Sequence, residues 1–155
     1  MTEDEQVSSD LIQYVTVVIG GQLFGLPINK VHDVFMPDSI TRVPQSEPEI
    51  AGVLNLRGRI VTAIDMRQML GVEDSTSGEN KMAVGIDYKG ESYGFIIDRV
   101  GEVLNLSMES RESNPSNLDR RWTNISAGVH RLDGELMVIL DVERVLGGLM
   151  ARIAA

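Results

Sequence analysis

Two aspartates, Asp65 and Asp141, occupy matching places in two similar stretches of the chain, and a pair of carboxylates is the minimal equipment for general acid–base catalysis. Their surroundings give each a simpler task. Asp65 stands between the apolar run ending at Ile64 and the segment Met66-Arg67-Gln68, with Gly71 beyond. That is the pattern of a helix N-cap, with a capping-box glutamine three residues on and a glycine to end the helix. Asp141 opens Val142-Glu143-Arg144-Val145-Leu146 in the same way, and duplicated caps are what a duplicated fold produces. The two histidines, His32 and His130, are isolated and read as strand-face residues. With no cysteine in the chain, thiolate chemistry and disulfides are excluded, and two isolated histidines argue against a zinc site. No nucleophile elbow, phosphate-binding glycine loop or His-Glu-x-x-His helix is present, so the residues do not compose an enzyme.

Arg57 is the residue that its local structure does not require. It lies in Ile50-Ala51-Gly52-Val53-Leu54-Asn55-Leu56-Arg57-Gly58-Arg59-Ile60-Val61, two apolar runs around an X-Gly pair, which spells a β-hairpin with Gly58 supplying a positive φ. A second, similar hairpin fills the same corner with Asp133-Gly134, common turn chemistry. A solvated turn arginine and a docking arginine on a rigid tip are the two readings, and arginine is enriched at interface hot spots. Arg120-Arg121-Trp122 reads as an amphipathic surface turn.

The remaining features describe the body that holds this tip. The chain has 155 residues, 43% hydrophobic and 24% charged, with 15 glycines and only 5% aromatics; a globular, turn-rich, mainly β protein follows. A net charge of −9 argues against nucleic acid, whose binding rests on clustered cations. The acidic start Met1-Thr2-Glu3-Asp4-Glu5 is unlike a secretory signal, and no apolar run spans a bilayer. These features predict a cytoplasmic protein with no direct membrane insertion, a flexible acidic tail over 1–10, and no cofactor or metal.

An internal repeat sets the architecture. Gly21-Gln22-Leu23-Phe24-Gly25-Leu26-Pro27-Ile28-Asn29-Lys30-Val31 matches Gly90-Glu91-Ser92-Tyr93-Gly94-Phe95-Ile96-Ile97-Asp98-Arg99-Val100 at an offset of 69, and the Arg57 hairpin with Asp65 matches Gly128 to Asp141 at an offset of 76. The difference of seven places an insertion between Leu106 and Ser126. Two related units of about five strands each are expected, closed as small barrels that bury a shared apolar face and joined by the polar stretch 73–80. A helical turn after Asp141 is expected to break at Gly147-Gly148, leaving 147–155 as a tail or short helix.

At Gly52-Val53-Leu54-Asn55-Leu56-Arg57-Gly58-Arg59-Ile60-Val61 followed by Ile64-Asp65-Met66-Arg67, with Phe24-Gly25-Leu26, Tyr93-Gly94-Phe95 and Leu140-Asp141-Val142, the sequence resembles the CheW family of bacterial chemotaxis coupling proteins. The resemblance extends over residues 11–146. It implies two five-stranded SH3-like β-barrels acting as a non-enzymatic adaptor, recruited to membrane-bound receptor arrays. The implied partners are the cytoplasmic tip of a methyl-accepting chemoreceptor and the regulatory domain of the histidine kinase CheA. The positions matching the family's receptor groove are Val31, Asp33 and Gly52, with the turn Asn55, Leu56, Arg57 and Gly58 beside them. Asp33 stands where the family often has Glu, so an ion pair with Arg57 depends on the reach of a shorter carboxylate. The competing reading is a generic β-barrel peptide-binding or scaffold module of another signalling pathway. If Asp65 and Asp141 are caps, Asp65→Asn and Asp141→Asn each lower unfolding stability by about 1 kcal/mol or less, measured by urea denaturation.

Overall fold

In this computed structural model the described residues are 11–72 and 81–154. The expected acidic tail at 1–10 and the connector at 73–80 lie outside them. The strands are β1 (Leu11–Ile19), β2 (Gln22–Pro27), β3 (Val31–Phe35), β4 (Ile50–Leu56), β5 (Arg59–Asp65), β6 (Met82–Tyr88), β7 (Glu91–Ile97), β8 (Arg99–Ser107), β9 (Arg111–Glu112), β10 (Ser126–Leu132) and β11 (Glu135–Leu140). The helices are α1 (Met66–Leu70), α2 (Arg120–Ile125) and α3 (Val142–Ala154).

The strands form two sheets, ordered β8-β1-β2-β11-β10-β9 and β3-β6-β7-β5-β4. Under the repeat, β1, β2, β3, β4 and β5 correspond to β6, β7, β8, β10 and β11, so the two orders are the same five-strand order written twice. The fold is mainly β with two related units, as expected. The strands are allotted differently, because neither sheet is one half of the sequence. Each half gives its first hairpin to the other half's sheet. The exchange is sealed by two parallel ladders in equivalent register: Val61, Thr62 and Ala63 pair with Ser92, Tyr93 and Gly94, and Met137, Val138 and Ile139 pair with Leu23, Phe24 and Gly25. Periodicity shows which residues lie on a strand's buried face but not which half supplies the neighbour.

Three apolar clusters fill this frame. Phe35, Leu54, Val61 and Ala83 pack on the inner side of the smaller sheet, and Tyr14, Met137 and Ile139 on that of the larger one. Between the sheets lies the shared face anticipated from the repeat, including Val17, Phe24, Leu26, Ile64, Phe95, Val129 and Val138.

Both caps form as read, with Asp65 Oδ1 accepting from the N–H groups of Arg67 and Gln68 at 3.0 and 3.4 Å, and Asp141 Oδ1 from Arg144 at 3.2 Å. The reciprocal half of the capping box does not form, because the Asp65 N–H donates to the Glu49 carbonyl at 2.7 Å. Helix α3 does not break at Gly147-Gly148; it runs to Ala154, since Val142, Val145, Leu146 and Leu149 form one buried stripe whose packing outweighs about 1 kcal/mol of helix propensity per glycine. Arg120-Arg121-Trp122 is not a surface turn but the start of α2, capped by Asp119. The Trp122 indole donates to the Leu70 carbonyl at 2.9 Å and meets Phe24 edge-on, tying the insertion to the shared core.

A charged clamp crosses between the units. Arg67, its side chain 7% exposed, donates to both oxygens of Asp98 at 2.8 and 2.7 Å, and Asp98 Oδ2 also accepts the N–H of Gly20 from the larger sheet's first turn. Burial alone would raise the Asp98 carboxyl, but the hydrogen bonds from Arg67 and Gly20, with the Arg67 charge, hold it below its ordinary value. The clamp's stabilisation is thus present above pH about 4 and lost as pH falls further. Removing one partner strands the other, so Arg67→Ala is expected to cost about 3 kcal/mol in urea unfolding at pH 7.

His130 is the second titration that shapes stability. Burial in the larger sheet's interior, and then the nearby Arg111 charge, hold it below the ordinary 6.5. The unfolded chain binds that proton more readily, so stability declines as pH falls through about 6.5. Across pH 7.5 to 5, His130→Leu, which restores the residue type of its counterpart Leu54, is expected to flatten that decline in thermal melts.

Candidate functional site

The β4–β5 hairpin closes through a two-residue loop, since Leu56 pairs with Arg59. Arg57 has φ +52° and Gly58 φ +86°, the left-handed pair of a type I′ turn. Asn55 Oδ1 accepts the Gly58 N–H at 2.9 Å and braces the loop, while Leu56 packs against the smaller sheet's inner cluster. The tip is therefore held on both sides while Arg57 projects into solvent, its side chain 80% exposed. Left-handed backbone costs a side-chain-bearing residue roughly 1 kcal/mol, and Asn, Asp or Gly would relieve it.

The curled sheet brings its edge strand β3 to this tip. Arg57 Nη1 lies 3.9 Å from Asp33 Oδ2, so the shorter carboxylate reaches, at ion-pair distance and without a hydrogen bond. Such an exposed pair contributes well under about 1 kcal/mol. Room for Asp33 is made by Gly85 across the ladder, because a Cβ there would collide with Asp33 Oδ1. Arg59 lies 3.9 Å from Asp87, which in turn faces His32 at 3.4 Å. The result is a crown of alternating charge, with Ile60 63% exposed beside it.

Of the residues singled out from the sequence, Asp33, Asn55, Leu56, Arg57 and Gly58 come together. Val31 begins β3 and is half-buried against the shared core. Gly52 is buried at a β-bulge with φ +148°, where a Cβ would strike the Thr41 carbonyl. Its counterpart Gly128, φ +132°, sits under the Glu112 carbonyl in the same way. These glycines admit a returning strand segment, Thr41 beside Val53 and β9 beside β10. Asp65 and Asp141 are each engaged in capping their own helix, and the described residues contain no cluster suited to a metal ion.

The repeat places an equivalent end on the larger sheet, where acids replace the two tip arginines. Asp133 stands for Arg57, Glu135 for Arg59 and Glu102 for Asp33. Here a groove of about 570 Å³ opens onto Leu23, Leu104, Leu106 and Leu132, rimmed by Glu102, Asp133, Glu135 and Arg99. One fold thus presents two repeat-related ends, one of mixed charge centred on Arg57 and Arg59 and one acidic. Sequence reasoning compared Arg57 with Asp133 but missed Arg59, Asp87 and the acidic rim; the Arg59-to-Glu135 reversal was present in the same alignment.

This architecture recurs in known proteins. A CheW-like domain family model matches residues 13–149. The chemotaxis protein CheW of Klebsiella aerogenes is 27% identical over 134 residues, covering 86% of this chain and 81% of that protein. CheW of Thermotoga maritima is 27% identical over 128 residues, covering 83% of each. The crystal structure of the scaffolding protein TtCheW from Thermoanaerobacter tengcongensis superposes with a TM-score of 0.78 at 27% identity, covering 86% of both chains. With nearly its whole length matched by the family model, the repeat and both hairpins included, the chain belongs to the CheW-like domain family.

Proposed function

We propose that this chain is a chemotaxis coupling adaptor that holds a chemoreceptor's cytoplasmic tip and the regulatory domain of the histidine kinase CheA at different surfaces, in the cytoplasm beneath receptor arrays. The observation that carries the two-surface reading is the pair of repeat-related ends, one of mixed charge with two arginines at its tip and one acidic. Electrostatic complementarity selects partners and fixes their register, and like charges across a wrong interface exclude alternatives. Val31, Asp33 and the Asn55-Leu56-Arg57-Gly58 turn belong to the receptor- or kinase-facing surface. Gly52 acts behind it by admitting the returning segment at Thr41.

The mechanism needs no reaction. The adaptor contributes binding free energy, and weak contacts become strong when receptors and kinases present them in multiples. Kinase control requires that it bind the active and inactive arrangements unequally, because equal binding shifts nothing. The peptide-module reading wants an aromatic-lined groove, whereas Tyr14, Phe24, Tyr93 and Phe95 are buried. No helix of the described residues is long and apolar enough to cross a membrane.

Arg57 separates a structural from a docking role. Arg57→Asn relieves the left-handed strain and is expected to raise stability by about 0.5–1 kcal/mol while weakening one partner roughly tenfold in calorimetric titrations with a receptor fragment and a CheA regulatory domain. Charge reversal at the other end, Asp133→Lys with Glu135→Lys, is expected to weaken the other partner and spare the first. Wild-type binding of both partners by both variants would refute the two-surface reading.

A further inference from the structure

The repeat supplies an internal control: where both copies hold hydrocarbon the fold requires it, and where one departs the fold does not ask for the departure. Ala83, Leu54 and Ile40 pack together inside the smaller sheet. The larger sheet has Tyr14, His130 and Arg111 at the equivalent places. The Tyr14 and His130 rings meet edge-on at 5.5 Å, and Arg111 pairs with His130 across the β9–β10 ladder.

The chain leaves this polar cluster unsaturated. Tyr14 is 2% exposed, and its hydroxyl makes no hydrogen bond among the described residues. Among the described residues the buried His130 Nε2 also lacks a partner, and the exposed Arg111 forms no ion pair. Tyr14 and Arg111 line a cavity of about 490 Å³ between the start of β1 and the first turn of α3. The other charges there are already engaged. Lys30 lies 3.3 Å from Glu143, and Asp141 accepts the Arg144 N–H and faces its guanidinium at 3.6 Å. What remains is one exposed cation without an ion pair and one hydroxyl donor that opens onto the cavity, with apolar walls from Leu11, Ile28 and Val142.

We propose that this cavity is a binding site for a small organic anion, a carboxylate or phosphate on a short hydrocarbon body, with its head group held by Arg111 and the Tyr14 hydroxyl. The cavity is of the size that small-molecule sites have. A guanidinium grips either head group through two parallel N–H donors, and the apolar walls accept the body. The turn Ile28–Lys30 that lines the cavity leads directly into β3, which carries Val31 and Asp33.

The test is a titration of the full chain with octanoate and with octyl phosphate, followed by backbone amide NMR, with octan-1-ol as the uncharged control. Saturable binding is expected for at least one anion, with shifts concentrated at residues 11–14, 28–30, 111 and 139–143; the stronger of the two identifies the head group. Arg111→Gln is expected to weaken it about tenfold and Tyr14→Phe by a smaller factor, both with unchanged melting temperatures. Arg57→Asn, at the other unit's end, is expected to bind as wild type. The proposal is overturned by absence of saturable binding of both anions through the millimolar range, by octan-1-ol binding as well as they do, or by shifts that lie elsewhere or survive Arg111→Gln.

Discussion

The structure depends on the exchange of hairpins between the two halves. A β5 strand from the first half lies parallel to β7 from the second, and β11 lies parallel to β2. Parallel pairing needs a long crossover, so neither ladder is a local event. Neither half has a complete sheet of its own, and neither can leave the other without breaking a central ladder. The Arg67–Asp98–Gly20 clamp lies on the same seam and adds directed, charge-assisted hydrogen bonds to the apolar face beneath it. Together these make the two units one rigid body.

Rigidity is what gives meaning to the two ends. Two linked but independent barrels would present their surfaces at variable angles, and the orientation of one partner would carry no information to the other. With exchanged hairpins, the Arg57 crown and the acidic rim at Asp133 and Glu135 stand in a fixed relation set by the repeat's own symmetry. The strain at Arg57 fits this picture: a left-handed arginine on a braced turn is retained against local preference, as residues at functional sites often are.

Much of this was legible in the residues. The X-Gly pair at Arg57-Gly58, the apolar runs around it and the cap at Asp65 each follow from short-range chemistry, and the repeat announced two related units with an insertion in the second. The family likeness rested on the same motifs. The hairpin exchange was not legible, because alternation assigns faces and not neighbours. Two adjacent glycines are poor helix formers and suggest a break in α3, and only the stripe of Val142, Val145, Leu146 and Leu149 against the core overrides them. The role of Trp122 is hidden from local pattern because its partner, the Leu70 carbonyl, is 52 positions away. The Asp33–Arg57 approach needed the curl of the sheet, which no local pattern encodes.

Kinase activity in a reconstituted array tests the central claim most directly. Receptor-bearing vesicles and CheA would be combined with and without this chain, and phosphotransfer followed with and without receptor ligand. The two-ended coupler predicts that the chain raises kinase activity and makes it ligand-sensitive, and that reversing charge at either end abolishes that sensitivity while the protein stays folded. Kinase activity and ligand response that are the same with and without the chain, using receptors and CheA from the same organism, would contradict it.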